Sequence, residues 1–142
     1  MTDHYQTEQE IEAAVRGFEQ CTTRPDNFKH REHLTVAVYY LRNSTPEQAL
    51  TKMRSGLVRF LDQHGVGQDK YNETTTGFWI KFLHNLISEF PSDTSLIDLV
   101  NEVLPRCADA RVVFEYYSPS RLSSAAAKRT WVEPDLKPLA PK

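Results

Sequence analysis

His30 and His33 lie three residues apart, a spacing that can do chemistry if the segment is helical. On a helix the pair shares one face, with Cβ atoms about 5–6 Å apart. Imidazoles placed this way can ligate a metal, hold an anion when protonated, or relay a proton. A second polar run, Tyr71-Asn72-Glu73-Thr74-Thr75-Thr76, opens the most hydrophobic helical stretch of the chain. A phenol, a carboxylate, an amide and hydroxyls at the mouth of an apolar interior describe a small-ligand site. His30, His33 and Glu73 are the catalytic candidates, a histidine acting as general base with Glu73 orienting it or serving as the acid. Tyr71, Asn72, Thr74 and Thr76 are the accompanying ligand-binding candidates.

Each cluster also has a plainer reading. One histidine can bond a neighbouring loop while the other is solvated. Asn72 is a natural helix N-cap, and Glu73 then sits where the helix dipole favours a carboxylate. A metal version of the site would use His30, His33 and Glu73, two imidazoles and a carboxylate with open positions. Two histidines alone fall short of the three or four ligands a metal site needs, and Glu73 would have to come from another helix. A third cluster, Tyr116-Tyr117-Ser118-Pro119-Ser120-Arg121, adds Tyr117 and Arg121 as ligand-binding candidates. Arg121 would pair there with an anionic ligand or with Glu73. The plainer alternative makes both tyrosines core residues with hydroxyls at the surface.

The elements that must position these groups are helical. With 142 residues the chain suits one domain, which can bury a core without metals or disulfides. Only five glycines occur, and no long window alternates as a half-buried strand would. Thr7 and Glu10 have capping-box spacing, and Ile11, Val15, Phe18 and Cys21 continue as a stripe, predicting a first helix over 8–21. Leu34, Ala37, Val38 and Leu41 predict a second over 28–42. Thr45, Pro46 and Gln48 start a third that ends at Gly65. A fourth helix over 73–89, apolar on more than one face, is expected at the centre of the bundle. Ser92 is read as the cap of a fifth helix and 108–117 as a short sixth. Ser118-Pro119 is read as a turn, and Ser123 or Ser124 as the cap of a short Ala-rich helix ending near Trp131. Residues 1–6 are expected to fray, and the Pro-rich segment 132–142 to run extended and pack on the body. The fold expected is all-α, a compact single-domain bundle of five to seven helices.

Net charge is −2, and no Lys/Arg-rich recognition helix is present, which argues against nucleic acid as a partner. No apolar run approaches a membrane span. The first ten residues are polar and partly acidic, unlike an export signal, so Cys21 and Cys107 are expected reduced in the cytoplasm. The main expectation is a small-molecule-binding protein, with an enzyme as one form of it. The alternative is a non-enzymatic accessory domain, binding a partner protein or a second copy through exposed aromatics such as Trp131 and Tyr117.

Several stretches together carry a resemblance. They are His30-x-x-His33-Leu34, Lys70-Tyr71-x-Glu73-Thr74-x-Thr76-x-Phe78-Trp79, Tyr116-Tyr117-Ser118-Pro119-x-Arg121-Leu122-x-Ser124, and Pro134-Asp135-Leu136-x-Pro138-Leu139. In this pattern the chain resembles a family of small, uncharacterised bacterial all-helical proteins. The resemblance implies a shared helical fold and a shared polar site, without a reaction. In that family the position of Asn72 is commonly histidine. The asparagine here removes a third imidazole but keeps an amide's hydrogen bonding.

Overall fold

Local capping explains where most helices begin and end in the computed structural model, which describes residues 4–139. Thr7 and Glu10 close a reciprocal capping box on α1 (Glu8–Glu19). The helix stops short of Cys21, which has a left-handed φ of 60° and packs on the same core from beyond the helix end. Pro25–Asn27 forms a separate 3-10 turn, so α2 (His30–Asn43) starts at His30 itself. There the Glu32 carboxylate accepts the free Lys29 N–H at 2.9 Å. The third helix, α3 (Pro46–Gln63), carries the expected Thr45–Gln48 box and ends before Gly65, whose φ is 68°.

The fourth helix, α4 (Glu73–Ile87), is capped by Asn72, whose side-chain oxygen accepts Thr75 N–H at 2.9 Å. The next helix, α5 (Leu96–Val103), is capped by Ser95 rather than Ser92. It ends at Val103, two residues before Pro105, and a 3-10 turn follows over Leu104–Cys107. The expected sixth α-helix is instead the 3-10 segment Ala110–Glu115. Ser118 and Pro119 are not a free turn but the cap and first residue of α6 (Pro119–Leu122). Ser124 caps α7 (Ala125–Arg129). Among the described residues there is no strand, and no helix is long and apolar enough to cross a membrane.

Two apolar clusters hold the bundle. The larger joins α1, α2, α3 and α5 with Ile80 and Leu83 of α4. The smaller gathers Phe78, Val113, Tyr117 and Leu122, with the partly buried Trp131, Val132 and Leu139 packed on it. α4 contributes to both clusters and packs on α2, α3, α5 and α7, the central place its all-round apolar pattern predicts. Tyr5, in the segment expected to fray, is instead buried, its backbone bonded in both directions to the Asn101 side chain. At the other end, 132–139 is irregular chain. Leu136, expected to pack, is 55% exposed, while its N–H reaches Tyr116 O at 2.9 Å. Residues 1–3 and 140–142 of the expected frayed start and extended tail lie outside the described residues.

α3 approaches the core closely at Gly56. A Cβ there would fall 2.5 and 2.6 Å from two carbons of the Phe18 ring. That ring is fixed by stacking on Phe28 at 4.8 Å and by Phe60 at 5.9 Å, so it cannot swing away. Gly56→Ala is therefore expected to lower stability by about 1–2 kcal/mol, overpacking outweighing alanine's better helix propensity. Urea denaturation of the two proteins checks this, and an equal or higher midpoint for the variant would contradict it.

Candidate functional site

The face of α4 that starts at its cap defines the site. Asn72, Thr75, Thr76, Trp79 and Ile80 recur at helical spacing and line a cavity of about 640 Å³. α2 supplies His30, His33, Leu34 and Ala37 in the same periodicity, and α3 supplies Met53, Leu57, Phe60 and Leu61. Phe28 and Pro25 close one side, and Val113, Phe114 and Leu122 another, so the cavity lies along the seam between the two apolar clusters. A volume of this size suits a small organic ligand.

His30 is committed. Its Nε2–H donates to the Cys107 carbonyl at 2.8 Å, and its ring stands edge-on to Trp79 at 4.8 Å. Because a carbonyl can only accept, that bond places a proton on Nε2 and selects the tautomer of the neutral ring. His33 differs. Its ring lies 4.4 Å from Phe28, and among the described residues its side chain makes no hydrogen bond. It keeps some accessible area, but protein surrounds it on almost every side, and that area belongs to the cavity wall. Burial, with a smaller contribution from nearby His30, pushes its pKa down from 6.5 to about 4. His33 is thus a neutral imidazole at neutral pH, one donor and one acceptor offered to the cavity.

Glu73 is not with the histidines. Its carboxylate takes a two-pronged bond from Arg54 of α3, Nε to Oε1 at 2.9 Å and Nη2 to Oε2 at 2.6 Å. The Tyr71 hydroxyl donates to the same carboxylate at 2.6 Å. Burial alone would raise the Glu73 pKa, but the bonds from Arg54 and Tyr71 outweigh it and hold the carboxyl below its ordinary value. Glu73 and Arg54 line a separate groove of about 720 Å³ with Lys128 and Arg129, and Tyr71 borders both spaces. The acid–base pairing of Glu73 with His30 or His33 therefore does not form. Nor does the three-ligand metal set, and no group of three potential metal-binding side chains comes together among the described residues.

The remaining candidates divide. Asn72 and Thr76 line the cavity, but Asn72 spends its amide N–H on Leu122 O at 2.8 Å, and Thr76 its hydroxyl proton on Asn72 O at 3.0 Å. Thr74 is fully buried and belongs to the C-terminal segment, donating to Thr130 O at 2.8 Å and accepting Val132 N–H at 3.2 Å. Tyr117 is buried too, its hydroxyl donating to Val132 O at 2.6 Å. Arg121 turns to Glu133 O at 2.6 Å, not to Glu73. Tyr117 is thus no exposed anchor for a partner. Trp131 is half-covered, its Nε1–H bonded to Glu133 at 2.7 Å and its ring against Gly77.

Sequence reasoning missed Thr75, Trp79 and Arg54. Thr75 lines the cavity, and among the described residues its hydroxyl has no hydrogen-bond partner. Counting i+3, i+4, i+7 and i+8 from Asn72 finds Thr75 and Trp79; nothing local to Glu73 signals Arg54. Comparison with known protein families, with curated proteins and with solved structures returns no match.

Proposed function

We propose that the protein binds a small, mainly apolar molecule in the cavity between α2, α3 and α4. The observation that carries this reading is His33, a nearly enclosed neutral imidazole on the cavity wall with no hydrogen-bond partner among the described residues. A buried polar group left unpaired costs about 1–3 kcal/mol, and a ligand that bonds it recovers that cost. Thr75 supports the reading from the opposite helix, and Phe28, Phe60 and Trp79 supply an aromatic wall. The function is binding rather than acid–base catalysis by His33. A base with a pKa near 4 takes protons poorly at neutral pH, and Glu73 is engaged with Arg54. The setting we assign is the cytoplasm, where Cys21 and Cys107, neither in a disulfide, remain thiols.

A fragment screen read by backbone amide chemical shifts tests the proposal. Hits are expected to move the resonances of Leu34, Thr75 and Trp79. The Ala37→Phe variant, which projects a ring into the cavity from a buried position on α2, is expected to abolish them. The absence of any hit at this cavity, or hits that Ala37→Phe leaves unchanged, would overturn it.

A further inference from the structure

The wall of this cavity also says what its occupant carries. Of the polar side chains lining it, several have their protons engaged within the protein: His30 on Cys107 O, Asn72 on Leu122 O, Thr76 on Asn72 O, and Tyr71 on Glu73. Four remain with no hydrogen-bond partner among the described residues: the Trp79 indole N–H and the exposed Lys70 ammonium, which can only donate, and His33 on α2 and Thr75 on α4, which can also accept. A neutral imidazole and a hydroxyl each present one donor and at least one acceptor. We infer that the occupant is an uncharged molecule with an aromatic or alicyclic body and one hydroxyl or carboxamide group, which both donates and accepts hydrogen bonds between His33 and Thr75. This rests on the small-molecule reading above and specifies its ligand.

Charge is what the lining argues against. Among the described residues no carboxylate lines the cavity; the one that the sequence placed nearby, Glu73, faces the neighbouring groove and is held by Arg54. A cationic ligand would therefore lose its hydration against Leu, Phe and Trp side chains without a counter-charge. An anion fares little better. Among the described residues Lys70 is the one lysine or arginine lining the cavity, and it is exposed, so water screens it. Among the described residues, the titratable groups lining the cavity besides His33 are His30, Lys70 and Tyr71. His33 is itself evidence of the local medium: the same surroundings that keep its ring uncharged penalise a charge on the ligand.

Four biphenyl probes of matched shape test this with the whole chain at about pH 7, where a phenol with a pKa near 10 is neutral. They are 4-phenylphenol, 4-methylbiphenyl, biphenyl-4-carboxylate and biphenyl-4-methylammonium, each titrated against amide chemical shifts. The phenol is expected to bind about tenfold more tightly than each of the other three, as one satisfied polar anchor allows. His33→Phe and Thr75→Val are each expected to bring the phenol's affinity toward that of 4-methylbiphenyl while leaving 4-methylbiphenyl unchanged. Thr75→Val keeps the test open should His33→Phe fail to fold. Tighter binding of the carboxylate or the ammonium would overturn the uncharged ligand. Equal binding of phenol and methylbiphenyl, or indifference of the phenol to both substitutions, would overturn the polar anchor. Either result leaves the cavity a binding site, whereas failure of all four probes to bind would count against the small-molecule reading itself.

Discussion

Replacing His33 with glutamine is expected to remove most of the protein's loss of stability between about pH 6.5 and 4.5. In the unfolded chain the imidazole takes up its proton near 6.5; in the folded protein it does so only near 4. Between those values the unfolded state holds the extra proton, so each step down in pH favours unfolding. The protonation-linked penalty at His33 is therefore absent above the upper value and complete below the lower one. At about 1.4 kcal/mol per pH unit the penalty amounts to about 3 kcal/mol, or about 2–3 once the accessible part of the ring is allowed for. Glutamine keeps a donor and an acceptor but has nothing to protonate. Urea denaturation of both proteins at about pH 7, 5.5 and 4.5 reads the effect. The wild-type free energy should fall steeply and the variant's little; parallel curves would mean that the folded protein accommodates the His33 cation. Glu73 interferes little, because its stabilisation is intact above its unfolded value near 4.5 and begins to fade only at the lowest pH measured.

That the two histidines share a cavity was legible because it depends on helical geometry alone. Once 30–43 is a helix, His30, His33, Leu34 and Ala37 must share a face. The Thr45, Pro46, Gln48 and Gly65 signals were equally local, and α3 begins and ends where they direct. Thr74 shows how the same logic can be misapplied. Of three successive threonines, the helix turns Thr75 and Thr76 to the cavity and Thr74 away from both, against the C-terminal segment. Residue type drew attention to the run, and only the count from the cap sorts it. The partners of Glu73 and Arg121 were not legible. Each is chosen by which distant segment packs alongside, α3 for Glu73 and 132–135 for Arg121. The 110–115 segment was misread for a related reason. Its apolar residues suit a helix, but in its 3-10 form Val113 and Phe114 close the cavity while the Asp109 carboxylate accepts the Arg111 N–H.

Arg54→Met tests whether the pair that draws Glu73 away from the histidines is a structural tie. Methionine keeps much of the arginine stem but removes both hydrogen bonds to the carboxylate. Glu73 is only 12% exposed, so the variant leaves a mostly covered charge whose remaining hydrogen bond among the described residues comes from the Tyr71 hydroxyl at 2.6 Å. Removing one partner of a fully buried pair costs about 3–5 kcal/mol. Arg54 is 42% exposed, so solvent already screens part of the attraction, and a loss of about 2 kcal/mol at neutral pH is expected. Its pH dependence has a definite sign. The wild-type Glu73 pKa is lowered in the folded state, so its stabilisation is present above the unfolded value near 4.5 and is lost as pH falls through the folded value. In Arg54→Met the carboxyl keeps its burial and loses its cation, so its pKa rises and protonation relieves the variant. The gap between the two proteins should therefore narrow on acidification. Adding Glu73→Gln to Arg54→Met should recover part of the loss at neutral pH, since the uncompensated charge is then gone. If Arg54→Met stays within about 0.5 kcal/mol of wild type at every pH, the pair is an ordinary surface contact. Glu73 would then be free to leave Arg54, and its separation from His30 and His33 would no longer follow from the energetics of the fold.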